Sequence, residues 1–336
     1  MANHHIVYLQ ADFINVPEYE LAAPNTYTQA IYPQTSPADL HARIHDATIL
    51  TFSRLHIDAI SLSPEVTPHL KLIVVVATGT DCVDLEACKK RGIAVSNCPS
   101  ANFEAVSEHA IGMYFATRRK MLPLHSLTRD GQWPQQSTLM YQALDRDGAP
   151  PLTCQEEVVG LIGNGTVGKR LAELARGLGM KVLVSGRKEP GNYTSLNGVG
   201  GIERTPFETV IRQSTVIFLA VPLTESTRNL ISTEELKTMS HRTLIINVSR
   251  GGVVNEEALV KALKEGQIAG AATDVFSEEP AGPTNSPLLR PGTQNLNLLV
   301  TPHLAWLAQK TVDNQSRMLK EALEGWVSGA RCNVVL

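Results

Sequence analysis

The 336-residue chain has little cysteine and few aromatics: five Cys, and 5% Phe, Trp and Tyr together. Cys82, Cys88, Cys98, Cys154 and Cys332 are odd in number, and no two are spaced as CxxC. That pattern argues against a disulfide framework and against a cysteine zinc site, and predicts reduced, mostly buried thiols. No metal site is expected, and His4-His5 at the start reads as a frayed terminus. No apolar run reaches the roughly 18–20 residues of a membrane span. No block of like charge stands out: 30 basic and 33 acidic residues leave a net charge of -3. A nucleic-acid partner needs a basic face, so none is expected, and neither is a membrane. The first residues lack a secretory pattern and the last match no targeting tail, so a cytoplasmic protein is the expectation.

The chain does hold short runs rich in Val, Ile and Leu, with helical patterns between them. One set covers residues 6–9, 47–52, 70–76 and 93–96. A second covers 158–162, 181–185, 215–221, 244–248, 269–275 and 296–300. Continuous rather than alternating apolar runs mark strands buried on both faces, as in parallel sheets covered by helices. Alternation with helices predicts doubly wound α/β domains. Asn255 before Glu256-Glu257 and Gly266 after Lys264-Glu265 mark the ends of one helix. Residues 104–118 form another. Residues 122–157, with Gly131-Gln132-Trp133-Pro134 and Gly148-Ala149-Pro150-Pro151, read as an excursion from the sheet.

The strongest local signal is Gly163-Asn164-Gly165-Thr166-Val167-Gly168, a G-x-G-x-x-G after a strand and before a helix. The first Gly permits a tight turn, the second lets backbone approach a pyrophosphate, and the third lets helix and strand pack closely. The helix N-terminus then turns N–H groups toward phosphate. The next strand ends Ser185-Gly186-Arg187-Lys188. Gly186 stands where an NAD site usually carries an acid for the ribose hydroxyls. Arg187 can instead pair with a 2′-phosphate, so NADPH is expected over NADH. The alternative is that Arg187 and Lys188 form a solvated turn.

Three further motifs follow later strands: Asn247-Val248-Ser249-Arg250-Gly251-Gly252, Asp274-Val275-Phe276-Ser277-Glu278-Glu279-Pro280, and Thr301-Pro302-His303-Leu304-Ala305-Trp306. In open α/β sheets ligands bind beyond the carboxyl ends of strands. Taken singly, Arg250 reads equally as a surface ion pair, Glu279 as a turn acid and His303 as a core histidine. Together with the glycine motif, and with Thr78-Gly79-Thr80-Asp81, Asn97-Cys98-Pro99, Glu108-His109 and Pro222-Leu223-Thr224, they resemble the D-isomer-specific 2-hydroxyacid dehydrogenase family over nearly the whole chain. Gly186-Arg187 and the His-x-Ala-Trp run look like its NADPH-using glyoxylate and hydroxypyruvate reductases.

The resemblance implies roles. His303 would exchange a proton with the substrate oxygen, Glu279 would pair with the imidazole and favour its protonated form, and Arg250 would hold the substrate carboxylate. Thr78 and Gly79 would offer backbone N–H groups to that carboxylate, and Trp306 would line the substrate site. Asp274 would face the nicotinamide, with Val248 and Ala305 beside it. Val221, Pro222 and Thr227 would border the cofactor, as would Gly163 to Gly168 and Ser185 to Lys188. Asn164 and Thr166 depart from the family's usual apolar residue and Arg, Ala77 from its Gly, and Cys82 and Asn255 from its Asn and Asp.

The resemblance also implies two Rossmann-like or flavodoxin-like domains with a cleft between them. Residues 1–101 and 308–336 would form the substrate domain. Residues 102–307 would bind the dinucleotide, with a dimerisation arm at about 122–157 and a homodimer as the assembly. The expected reaction is NADPH-dependent reduction of a 2-oxo acid, glyoxylate or hydroxypyruvate in type, to the D-2-hydroxy acid. A bulkier phenylpyruvate or branched-chain acid is the alternative, and a non-catalytic, corepressor-like scaffold is a more distant one.

Overall fold

The computed structural model describes residues 3–188 and 204–336. Two compact units make up the chain: Met1–Asn102 with Leu307–Leu336, and Phe103–Trp306.

The first unit carries strands β1 (Asn3–Tyr8), β2 (Thr26–Ile31), β3 (Ile49–Phe52), β4 (Leu72–Val75) and β5 (Ala94–Asn97). They form a parallel sheet in the order β2-β1-β3-β4-β5. Successive side chains on a strand point to opposite faces. Val7, Leu50, Ile73 and Val75 therefore join Leu40 and Ile44 in one core. Ile6, Tyr8, Ile49, Leu72 and Val74 join Leu319, Ala322 and Leu323 of the helix Gln309–Ser328 in the other. Both faces are covered, so the strands read as continuous apolar runs.

Two expectations fail at the edge of this sheet. β2 has no counterpart among the predicted strands. It is an edge strand of sequence Thr-Tyr-Thr-Gln-Ala-Ile with no buried residue, so it carries no apolar run. His4-His5 is not frayed either: β1 begins at Asn3 and pairs on both sides, with β2 and β3. His4 is buried with its ring edge-on to Trp326, and the His5 backbone N–H donates to Thr48 Oγ1 at 2.7 Å. Of the five free thiols, only Cys88 and Cys98 are buried; the other three are partly exposed.

The second unit carries β6 (Val158–Ile162), β7 (Lys181–Val184), β8 (Val216–Leu219), β9 (Leu244–Asn247), β10 (Gly270–Thr273) and β11 (Leu298–Val300). All pair in parallel, in the order β11-β10-β9-β8-β6-β7. Each predicted strand of the second set is present. β6 has β7 on one side and β8 on the other, so the strand order reverses there, the position where such sheets bind ligands. Helix Glu256–Glu265 has the expected ends: Asn255 accepts the Ala258 N–H, and Gly266 sits at φ 66°. Residues 121–143 form three helices, Met121–Arg129, Gln132–Gln136 and Met140–Ala143, and add no strand to the sheet.

Helix Phe103–Arg118 is fastened to the start of β6 by a buried ion pair. Arg118 Nε and Nη2 donate to the two oxygens of Glu157 at 2.6 and 3.0 Å. Tyr114 Oη also donates to Glu157, and the Arg118 Nη atoms reach the carbonyls of Arg242 and Thr215. A buried pair is tolerable when its remaining donors and acceptors are satisfied in this way. Among the described residues no helix is long and apolar enough to cross a membrane.

Candidate active site

The glycine loop leaves β6 and enters helix Thr166–Gly177. Gly163 has φ 108°, and a Cβ there would lie 2.2 Å from the Ala220 carbonyl oxygen. A Cβ on Gly168 would lie 2.2 Å from the Gly163 carbonyl oxygen. Both positions must be glycine for the fold alone. Gly165 differs, because a Cβ there would meet nothing within 4 Å. Protein packing does not explain that glycine, whereas room for a pyrophosphate against the backbone does. No side chain caps the helix that Gly165 opens. Its first-turn N–H groups fit an anionic ligand. Asn164, Gly165, Thr166 and Val167 line this turn. Val221 packs below Gly163, and Thr227 Oγ1 donates to the Pro222 carbonyl at 2.6 Å, holding the loop after β8.

At the end of β7, Ser185 is buried, Gly186 half-buried and Arg187 exposed. A Cβ on Gly186 would be 3.6 Å from the Thr205 carbonyl, an ordinary contact. Packing thus leaves room for the acid an NAD site would place there. Lys188, expected to border the cofactor, has its Nζ 2.8 Å from Glu235 Oε1. Arg204 was invisible to motif reading, yet its Nη1 donates to the Ser185 carbonyl at 3.0 Å. Thr205 brings it there by pairing alongside Ser185.

Arg250, Glu279 and His303 follow β9, β10 and β11, three neighbouring strands, so their loops rise from one edge of the sheet. Each loop is braced. Asn247 Oδ1 accepts the Ser249 N–H, and Asn247 Nδ2 donates to the Arg250 carbonyl at 3.0 Å. A Cβ on Gly251 would fall 1.7 Å from the Phe276 carbonyl oxygen, so the Arg250 loop lies directly on the loop after β10. In that second loop Glu279 Oε1 accepts the Phe276 N–H, and buried Glu256 accepts the Ser277 N–H. Val248 and Ala305 are both buried.

His303 Nδ1 lies 2.6 Å from Glu279 Oε2. A carboxylate can only accept, so Nδ1 carries the hydrogen and Nε2 faces away from Glu279. His303 has φ 55°, a left-handed conformation uncommon outside glycine. Its neighbours hold it there. Asp274, 1% exposed, accepts from Thr301 Oγ1 at 2.6 Å, from the Leu304 N–H at 3.0 Å and from the Ala305 N–H at 2.8 Å. His109 Nε2 is 3.1 Å from Thr301 Oγ1. Trp306, expected at the substrate, is 9% exposed and donates its indole N–H to the His303 carbonyl. Thr78 and Gly79 belong to the first unit, after β4; Thr78 Oγ1 donates to Asn102 Oδ1 at 3.1 Å. Among the described residues, no cluster of three His, Cys, Asp or Glu is placed to hold a metal ion.

The motif reading singles out Arg250, Glu279 and His303 as candidates but not the bracing by Asn247, Glu256 and His109. These act through the fold. Asn247 and His109 lie in motifs that the sequence shows, and Glu256 opens a helix marked by its Asn255 cap, but none of the three announces its bracing contact.

Residues 111–305 match the family model described as D-isomer specific 2-hydroxyacid dehydrogenase, NAD binding domain. The chain is 35% identical over 331 residues to a glycerate dehydrogenase of Methylorubrum extorquens, covering 98% of each chain. It is 33% identical over 270 residues to a glyoxylate reductase of Thermococcus litoralis, covering 79% of this chain and 76% of that one. Among solved structures it is similar to an NADPH-dependent glyoxylate/hydroxypyruvate reductase of Sinorhizobium meliloti in complex with NADP and malonate. There the TM-score is 0.75 at 24% identity, with 99% of this chain and 97% of the other covered.

Proposed function

The chain belongs to the D-isomer-specific 2-hydroxyacid dehydrogenase family and is an NAD(P)-dependent oxidoreductase; from that premise we propose that it uses NADPH to reduce a small 2-oxo acid, glyoxylate or hydroxypyruvate, to the D-2-hydroxy acid. The observation that carries this reading is the 2.6 Å contact of His303 Nδ1 with Glu279 Oε2.

Reduction of a 2-oxo acid needs a hydride, a proton and a hold on the carboxylate. The reduced nicotinamide, when bound, supplies the hydride. His303 holds the proton on Nε2 and passes it to the ketone oxygen, while Glu279 balances the charge of the imidazolium through Nδ1. Arg250, on the neighbouring loop, offers a planar fork that suits a carboxylate. Asp274, with both oxygens engaged by Thr301, Leu304 and Ala305, fixes the loop on which His303 sits. The glycine loop takes the pyrophosphate, with Gly165 giving the close approach. Arg187 and the absence of an acid at Gly186 favour a 2′-phosphate. The names of the relatives support the small-acid reading.

The same reading includes a homodimer built through residues 121–143. Met121, Leu122, Trp133, Met140 and Tyr141 are each at least half exposed there, an apolar surface that a second copy would cover. Sedimentation at micromolar concentration tests this; a sole species of 36.5 kDa would refute it.

The function is tested by loss of reduced-nicotinamide absorbance with glyoxylate, hydroxypyruvate, pyruvate, 2-oxoisocaproate and phenylpyruvate, with NADPH and NADH in parallel. Highest kcat/KM for the small acids with NADPH is expected. Preference for the large acids would overturn the substrate, and preference for NADH the cofactor.

A further inference from the structure

The end of β7 holds a cation that no motif announces. Arg204 enters from beyond the strand through Thr205, which pairs with the strand end: Gly186 N–H donates to the Thr205 carbonyl and Thr205 N–H to the Val184 carbonyl, both at 2.8 Å. Arg204 Nη1 then reaches the Ser185 carbonyl at 3.0 Å. The Ser185 N–H donates to Leu161 on β6. In a strand the N–H and C=O of one residue point the same way. The Ser185 carbonyl therefore faces the β6 side, and Arg204 crosses the strand end toward it. β6 is the strand that feeds the glycine loop, and neighbouring strands lie only about 4.8 Å apart. Arg204 is thereby set on the side of β7 where a ribose joined to a pyrophosphate on Gly165 comes to rest.

Three observations converge on the ligand chemistry. The position for a ribose-binding acid is Gly186, although packing there leaves room for a side chain. Arg187 is exposed at the same strand end. Lys188, the second cation in the sequence run, is engaged by Glu235, which also accepts the Ser232 N–H at the start of helix Thr233–Thr238. A guanidinium has five donors, so one bond to a carbonyl leaves capacity for a phosphate.

We propose that Arg204 is a specificity-determining residue that, with Arg187, binds the 2′-phosphate of the dinucleotide, and that Lys188 serves the fold instead. This rests on the NADPH reading above and deepens it.

The test is calorimetric titration of the full chain with 2′,5′-ADP (adenosine 2′,5′-bisphosphate) and with 5′-AMP, which differ only in the 2′-phosphate. The wild type should bind 2′,5′-ADP more tightly. Arg204→Ala should weaken 2′,5′-ADP by roughly ten- to a hundredfold, the scale of a lost hydrogen bond to a charged group, with 5′-AMP affinity held. Arg204→Lys should restore part of the loss, and Lys188→Ala should leave the ratio of the two affinities unchanged. An equal loss for both nucleotides in Arg204→Ala would show a structural role and overturn the proposal. So would no loss at all, or a collapse of the ratio in Lys188→Ala. A wild type that does not distinguish the two nucleotides would instead refute the NADPH reading itself.

Discussion

The indole N–H of Trp306 donates to the backbone carbonyl of His303 at 3.0 Å. The bond spans three residues and closes over a histidine whose φ is 55°. Backbone held in this region persists only where surrounding contacts over-determine it. Here the contacts are that indole on one side and the Asp274 carboxylate on the other. Trp306→Phe keeps the buried ring and removes the donor. We expect kcat to fall by roughly three- to tenfold, the worth of one neutral hydrogen bond, with cofactor Kd unchanged. An unaltered kcat would show that Asp274 holds the loop without help.

His303→Ala should lower kcat by about a hundred- to ten-thousandfold, the range for loss of a general acid. Fluorescence titration should show NADPH still binding. Turnover that survives the substitution would remove His303 from the mechanism.

Two glycines of one loop should behave in opposite ways. Gly163→Ala places a Cβ 2.2 Å from backbone at positive φ, so the variant should melt well below the wild type. Gly165→Ala meets open space, so its melting temperature should hold or rise slightly. Its cofactor affinity should drop by about tenfold or more, on the order of 1.4 kcal/mol. Equal affinity in Gly165→Ala would mean that no phosphate approaches that backbone.

The edge of the first unit was hard to read for a physical reason. β3 and β4 are buried at every position and announce themselves as apolar runs. β2 has a neighbour on one side only and no buried residue, so its sequence is polar and carries no apolar run. His4 gives no sign of its burial in the sequence, since it depends on strand pairing with β2 and on Trp326, near the other end of the chain, packing edge-on against its ring. In the candidate site, Arg250, Glu279 and His303 stand out in the sequence because each lies in a motif after an apolar run, and the structure sets them on loops after neighbouring strands. Arg204 does not stand out, because its contact with the Ser185 carbonyl depends on a strand-end bridge made by Thr205.

That buried histidine predicts a pH effect. Burial, then the charge of Lys71, lowers the His4 pKa below its ordinary value. Above about pH 6.5 neither the folded nor the unfolded chain protonates it, so it adds no pH dependence there. Below that value the unfolded chain takes up a proton and the folded chain resists, so stability falls as the pH drops. Urea midpoints at about pH 7.5 and about pH 5.5 should differ less in His4→Phe than in the wild type. The same difference in both would assign the acid sensitivity elsewhere.

The thiols should also sort by burial. Burial pushes Cys88 up to about 11 and Cys98 up to about 12, leaving almost no thiolate near neutral pH. Peptide mapping after brief alkylation of the native protein should find label on Cys82, Cys154 and Cys332 first. Early label on Cys98 would mean that its surroundings open readily.

The first unit is assembled from two stretches of chain, with the whole of the second unit encoded between them. Leu319, Ala322 and Leu323, which cover one face of its sheet, leave the ribosome only after Trp306. During synthesis Ile6, Tyr8, Ile49, Leu72 and Val74 must therefore wait with that layer missing, while residues 103–306 can already close around their own core. The early strands spend that interval as exposed apolar surface, the window in which a nascent chain is most open to aggregation and to chaperones.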